Sequence, residues 1–260
     1  MKEGGYQMNP VIVRNVRLGE GIPKICVPIV GITEEEIINE AKEIRGLEAD
    51  IVEWRADWYE DVFDSDKVIQ VLEKIRYELG DKPILFTFRT AKEGGERAIA
   101  DLQYLDLNKK VADSKQADLI DVEIFSEESC VKAIIEYAHQ NHVYIIASNH
   151  DFEKTPAQEE IVARLTKMQE MGADVLKIAV MPQTKRDVIT LLAATEEMVT
   201  NYARQPVVTM SMSGQGLVSR LSGEIFGSAM TFGAAKKVSA PGQIPVKELE
   251  KVLNILHQSL

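Results

Sequence analysis

The chain has 260 residues, 45% of them hydrophobic and 27% charged, a composition that fits a soluble globular protein and excludes disordered or fibrous classes. Thirty Lys and Arg stand against 41 Asp and Glu, and the resulting charge of −11 argues against the basic face that nucleic acids require, while leaving room for local basic clusters that bind a small anion. Cys26 and Cys130 lie far apart in no metal-ligand spacing, and no secretory leader or apolar run of ~18 residues is present, so free thiols in a reducing cytoplasm are expected.

Residues 1–9 read as a loose polar start, and residues 10–21 as two short strands in a hairpin. An alternation then sets in, with apolar, β-branched runs each followed by a stretch of helical periodicity. Strands are expected at 24–30, 50–54, 84–88, 119–124, 143–148, 175–180, 207–212 and 230–232. Helices are expected to begin near Thr33, Ser65, Glu96, Ser126, Thr155, Lys185, Gly216 and Pro245. Thr33 with Glu36 reads as a capping box, Ser126 with Glu128 in its first turn as a cap, and Thr155-Pro156 as a cap with proline at the first helical position. Eight β and eight α units in strict alternation predict one (β/α)8 TIM barrel domain over residues 1–260, its bottom closed by the hairpin. The alternative is a doubly wound open sheet, but no Gly-x-Gly-x-x-Gly follows the first strand.

In such barrels the chemistry sits at the C-terminal ends of strands. Lys177 interrupts the apolar run Val175-Leu176-Lys177-Ile178-Ala179-Val180, where a buried cation costs several kcal/mol unless it is used. His150 ends the run before it. An amine must be neutral to attack a carbonyl, and at pH 7 an ordinary lysine loses its proton at a cost of about 4.6 kcal/mol. Burial and the cations Arg55, Arg89 and Arg220 are expected to favour the neutral amine, which would make Lys177 a Schiff-base nucleophile. His150 has the intrinsic basicity to take a proton from an acidified carbon, with Glu93 to orient its ring. The plainer reading is a lysine that snorkels out at a strand end.

Residues two apart share a strand face, which pairs Glu53 with Arg55, Thr87 with Arg89, Asp121 with Glu123, Ser148 with His150, and Met210 with Met212. Glu53–Arg55 reads equally as a structural ion pair, Asp121 and Glu123 as structural partners of an arginine, and the methionines as core filler. Arg89 reads as functional, because Gly94 and Gly95 let the following loop fold back over the strand end. Ser213-Gly214-Gln215-Gly216 gives a weak phosphate-site signal, whereas Arg220 suits a carboxylate held by two hydrogen bonds. Residues 233–245, with Lys236-Lys237, read as a lid. His139, His142 and His257 read as solvated, and no cluster has zinc-like spacing.

Several segments in order resemble type I 3-dehydroquinate dehydratases, over nearly the whole chain. They are Glu53-Trp54-Arg55, Phe86-Thr87-Phe88-Arg89 with Ala91-Lys92-Glu93-Gly94-Gly95, Ser148-Asn149-His150-Asp151-Phe152, Lys177-Ile178-Ala179, Thr209-Met210-Ser211-Met212, Phe232-Gly233-Ala234 and Ser239-Ala240-Pro241-Gly242-Gln243. The resemblance implies a barrel, usually homodimeric, that uses no metal or organic cofactor and serves the shikimate pathway of aromatic amino acid biosynthesis. It implies that Lys177 forms a Schiff base with the C3 ketone of 3-dehydroquinate. His150 would remove a proton from C2 and help expel the C1 hydroxyl, a syn elimination giving 3-dehydroshikimate, with Glu93 holding His150 in place. Arg220 and Gln243 would bind the carboxylate, and Glu53, Arg55, Arg89 and Ser239 the hydroxylated ring, with Met212 also among the substrate-binding residues. Pro28 stands where relatives can carry a serine, so no ligand contact is expected there. The rivals are another lysine Schiff-base barrel, such as an aldolase, and a catalytically silent ligand-binding barrel.

Overall fold

The computed structural model describes residues 8–235 and 239–260. β1 (Val11–Val13) turns through Arg14, whose φ is 53°, into the antiparallel β2 (Val16–Leu18). Eight strands follow: β3 (Lys24–Ile29), β4 (Ile51–Arg55), β5 (Ile84–Thr87), β6 (Leu119–Glu123), β7 (Tyr144–Asp151), β8 (Val175–Val180), β9 (Val207–Ser211) and β10 (Met230–Phe232). All pair in parallel in the order β10-β3-β4-β5-β6-β7-β8-β9. The helices between and after them are α1 (Glu34–Arg45), α2 (Ser65–Leu79), α3 (Asp101–Ser114), α4 (Glu128–Gln140), α5 (Gln158–Glu170), α6 (Lys185–Asn201), α7 (Leu217–Leu221), α8 (Gly223–Phe226) and α9 (Val246–His257). This is the expected TIM barrel. Among the described residues, no helix is long and apolar enough to cross a membrane.

Alternation along the strands builds two apolar layers. Val27, Val52, Trp54, Phe86, Ile120, Val122 and Ile178 face outward, packed with the buried faces of the helices. The α2 face is typical, with Val68, Val71, Leu72, Ile75 and Leu79 at helical spacing. Cys26, Ile51, Leu85, Leu119, Ile146, Val175, Val208 and Met230 point inward, and Val13, Val16 and Leu18 of the hairpin pack on them. The hairpin thereby closes the N-terminal mouth, and the polar side chains of the interior gather toward the other end. The seam between β9 and β10 has no continuous ladder. It is closed by the Val207–Ser228 bridge, with Ala229 N donating to Val207 O at 2.7 Å and Thr209 N to Ser228 Oγ at 3.0 Å.

Strand positions follow the expectation closely, and helix starts less so. The Thr33–Glu36 capping box is present. At α4 the cap is Glu127, not Ser126, because the longer carboxylate accepts from Ser129 N and Cys130 N. Thr155 does not cap α5: its hydroxyl donates to Met181 O, and the helix starts after Ala157. α3 starts at Asp101 rather than near Glu96, because residues 90–97 fold back through a Thr90–Arg97 bridge. Where one helix was expected after Gly216, two short ones form. Of the expected lid, residues 233–235 and 239–245 are described, while Lys236 and Lys237 lie outside the described residues.

Candidate active site

At the C-terminal mouth the strand ends surround a cavity lined by charged and apolar side chains. Lys177, His150, Glu93, Glu53, Arg55, Arg89, Met212, Arg220, Ser239 and Gln243, all ten residues singled out from the sequence, line it. Gly94, Phe152, Ala179, Met210, Phe232 and Ala240 complete the wall.

Lys177 is 3% exposed. Its Nζ donates to Asp121 Oδ2 at 2.9 Å, lies 4.0 Å from Glu53 Oε1, and sits 4.8 Å from the centroid of the Phe232 ring. The sequence suggested a lysine among arginines. Arg55, Arg89 and Arg220 do share its cavity, but its ion-pair partners are carboxylates. Asp121 also accepts from Arg89 Nη2 at 2.7 Å and from Ser148 Oγ at 2.6 Å. Burial alone would raise Asp121, yet Arg89 and Lys177 hold it down at about 2. Asp121, read from the sequence as structural, is therefore the group that grips the lysine.

The charges on β4, on β6 and in the loop after β5 also have partners. Arg89 Nη1 donates to Glu123 at 3.0 Å, and Glu123 takes the Thr90 N–H and hydroxyl at 2.7 Å each. Glu53 and Arg55 do not form the pair allowed from the sequence. Arg55 grips Asp57 with two bonds of 2.8 Å, while Glu53 accepts from Thr87 Oγ1 at 2.9 Å. Asp57 escaped the sequence reading because a helical turn at Ala56–Trp58, not strand alternation, aims it back at Arg55. Such pairing is what lets this many charges stay buried.

His150 ends its strand facing Glu93. Glu93 Oε2 accepts from His150 N and from Nδ1, both at 2.9 Å, and Oε1 accepts from Asn149 Nδ2 at 3.0 Å. Burial, with Arg89, Lys177 and Arg55 nearby, holds the imidazole well below its ordinary basicity, so the ring is neutral at pH 7. Burial pushes Glu93 up to about 7 against the pull of Arg89. With Nδ1 carrying the proton toward Glu93, Nε2 is the lone-pair nitrogen. Glu93 reaches this position because its loop folds back as the glycines suggested: a Cβ on Gly95 would stand 1.9 Å from Arg89 O.

Arg220, on α7, is 2% exposed. Nη2 donates to Pro241 O at 3.1 Å and Nη1 approaches Met210 Sδ at 3.6 Å, while Nε has no partner among the described residues. Among the described residues no carboxylate pairs with it, and burial lowers it to about 10. A buried guanidinium with unused donors at the wall of a cavity is an anion site in waiting. In the loop that holds Pro241, Gln243 Nε2 donates to Ser239 Oγ and Ser239 N donates to Gln243 Oε1, both at 2.9 Å, which ties the two residues together. Residues 213–216 do not line the cavity. Their glycine serves packing instead: a Cβ on Gly216 would meet Ser211 O at 2.1 Å, and one on Gly242 would meet Ser213 O at 2.3 Å. Pro28 borders a separate cavity beside Glu40 and Ala235, away from Lys177. His139 and His257 pair at the surface with Asp174 and Glu224.

A profile of the type I 3-dehydroquinase family matches residues 25–260. A 3-dehydroquinate dehydratase of Listeria monocytogenes serotype 4b is 57% identical over 251 residues, covering 96% of this chain and 99% of that one. One of Clostridium botulinum is 56% identical over 250 residues, covering 96% and 98%. The crystal structure of the type I 3-dehydroquinate dehydratase of Clostridium difficile with covalent modified comenic acid superposes with a TM-score of 0.95 at 53% identity, covering 97% of this chain and 99% of that one. Every residue of the cavity falls within the matched segment, and the chain belongs to the type I 3-dehydroquinase family.

Proposed function

We propose that this chain is a hydro-lyase that converts 3-dehydroquinate to 3-dehydroshikimate through an imine on Lys177. The observation that carries the reading is the meeting, in one cavity, of a buried amine, a neutral imidazole hydrogen-bonded to a carboxylate, and an arginine that no carboxylate among the described residues pairs with. These match a ketone, an acidic C–H and a carboxylate on one small substrate. The amine of Lys177 adds to the C3 ketone and water leaves, forming an iminium. The iminium withdraws electrons and acidifies C2, whose proton passes to Nε2 of His150, leaving an enamine. The enamine pushes out the C1 hydroxyl, which takes the proton back from His150 and departs as water. Hydrolysis of the imine frees the product and restores the amine. One base on one face of the ring serves both proton transfers, which makes the elimination syn.

Arg220 holds the C1 carboxylate with Gln243 beside it. Glu53, Arg55, Arg89 and Ser239 bind the ring hydroxyls, and Met212 packs on the ring. The reaction needs no metal or organic cofactor in this scheme. The enzyme acts as a cytoplasmic homodimer in the shikimate pathway, and the buried free thiols of Cys26 and Cys130 suit a reducing compartment. Borohydride added with 3-dehydroquinate is the direct test: it should fix the ligand to Lys177 and inactivate the protein. An unmodified Lys177 after full turnover in borohydride would sink the imine mechanism.

A further inference from the structure

Phe152, immediately after β7, is 37% exposed at the mouth of the cavity. Its ring lies at 24° to the His150 imidazole with centroids 6.5 Å apart. It is also wedged against Gly94: a Cβ there would stand 2.4 Å from Phe152 Cε2 and 2.6 Å from Cζ. Gly94 directly follows Glu93 and holds a φ of 81°, which favours glycine. The same short turn thus delivers the carboxylate to His150 Nδ1 and leaves the gap in which the phenyl ring sits.

The hydrogen bond to Glu93 does not by itself fix the imidazole. It anchors one nitrogen, while the χ2 torsion of histidine is broad and soft. A flat neighbour lying near-parallel to the ring is what restricts rotation about that torsion. We propose that Phe152 is a positioning residue, its ring seated on Gly94 and laid along His150 so that Nε2 is held on line with the substrate's C2–H. This rests on the reading of His150 as the base. The phenyl ring lies toward one face of an imidazole that Glu93 and Arg89 face from the loop after β5, Arg55 from β4 and Lys177 from β8.

The test uses Phe152→Leu, which keeps an apolar cover without a flat face, and Phe152→Ala, which removes both. Turnover and the His150 ring-proton NMR titration are read in each. The expected result is a kcat lowered about tenfold or more in Phe152→Ala, and less in Phe152→Leu, with KM little changed. The His150 titration and the acid limb of kcat/KM should move upward in Phe152→Ala. Gly94→Ala, which displaces the ring by a different route, should cost much less in the Phe152→Ala background than in wild type. Unchanged kcat, whether or not the titration moves, overturns the proposal, as does a loss confined to KM, which would make Phe152 a wall for substrate. The titration reads the contact even where His150 is not the base. Full turnover by His150→Ala would instead refute the base assignment.

Discussion

Replacing Arg220 with Met tests the anion site most sharply, because the structure sets opposite signs for binding and stability. Burial holds this guanidinium at about 10, two to three decades below its ordinary value, so the charged form is disfavoured by about 3 kcal/mol in the empty site. Among the described residues its Nε has no partner and its Nη1 meets a sulfur. A bound carboxylate would supply two charge-assisted hydrogen bonds, each contributing about 1.5–3 kcal/mol. Losing them should raise KM roughly 10²–10⁴-fold, while kcat falls less, because this contact is made in ground and transition states alike. The empty Arg220→Met protein should resist urea as well as wild type or better, since an apolar side chain of similar length replaces a charge buried without a counter-ion. Arg220→Lys, a point charge without the fork, should lie between them in KM. Steady-state assays of the conjugated enone product and urea melts with and without product measure both signs. A KM within about threefold of wild type would refute the assignment, and so would an empty variant that unfolds markedly more easily.

Three further outcomes are expected. In His150→Ala, borohydride should still trap the imine while dehydration drops about 10²–10⁴-fold; full turnover would remove His150 from its role. Glu93 is raised to about 7 in the folded protein, so its contribution to stability is present at pH below the unfolded carboxyl range near 4.5 and is lost as pH rises through 7. Urea melts should therefore show Glu93→Gln gaining up to about 3 kcal/mol on wild type between pH 4.5 and 8, and parallel pH profiles would contradict this. Ser228→Ala strips the buried Thr209 N–H of its partner at the barrel seam and should cost about 1–3 kcal/mol in a urea melt, with a negligible loss counting against the seam's role.

Much of this was legible in the sequence because it is local. Period-2 and period-3.6 patterns are properties of neighbouring residues, so all eight barrel strands were placed to within a few positions. Alternation also put Glu53, Thr87, Asp121 and Ser148 on strand faces that carry a second polar group. It could not say which of them meet. That depends on stagger around the barrel, which sets Thr87 beside Asp121 and Ser148 beside Lys177 in the strand register. The partner of Lys177 was therefore missed, and Arg55 was offered to Glu53 when a turn at Ala56 brings it Asp57. Helix starts failed for a different reason. At α4 two candidate caps stand side by side and the longer side chain, Glu127, takes the first-turn N–H groups, while the Thr155 hydroxyl is drawn away by the Met181 carbonyl 26 residues on.

The carboxylates beside Lys177 change what the buried lysine means. A site surrounded by cations would ease loss of the proton from the free amine, but it would oppose every later species, since the imine works only when protonated. In the proposed cycle the nitrogen is positive in the iminium on either side of the elimination, and neutral during attack, in the carbinolamines and in the enamine. Asp121 at 2.9 Å and Glu53 at 4.0 Å stand where they stabilise the iminium charge, and Asp121, held at about 2, stays anionic throughout. The site is thus arranged for the charged intermediate. Asp121→Asn separates the two demands. It leaves Lys177 and Arg89 buried without that anion, so a urea melt should show a loss of about 3–5 kcal/mol, and borohydride trapping should recover less imine at equilibrium even where the amine attacks faster. More trapped imine in Asp121→Asn than in wild type would show that the carboxylate hinders the lysine rather than holding its iminium.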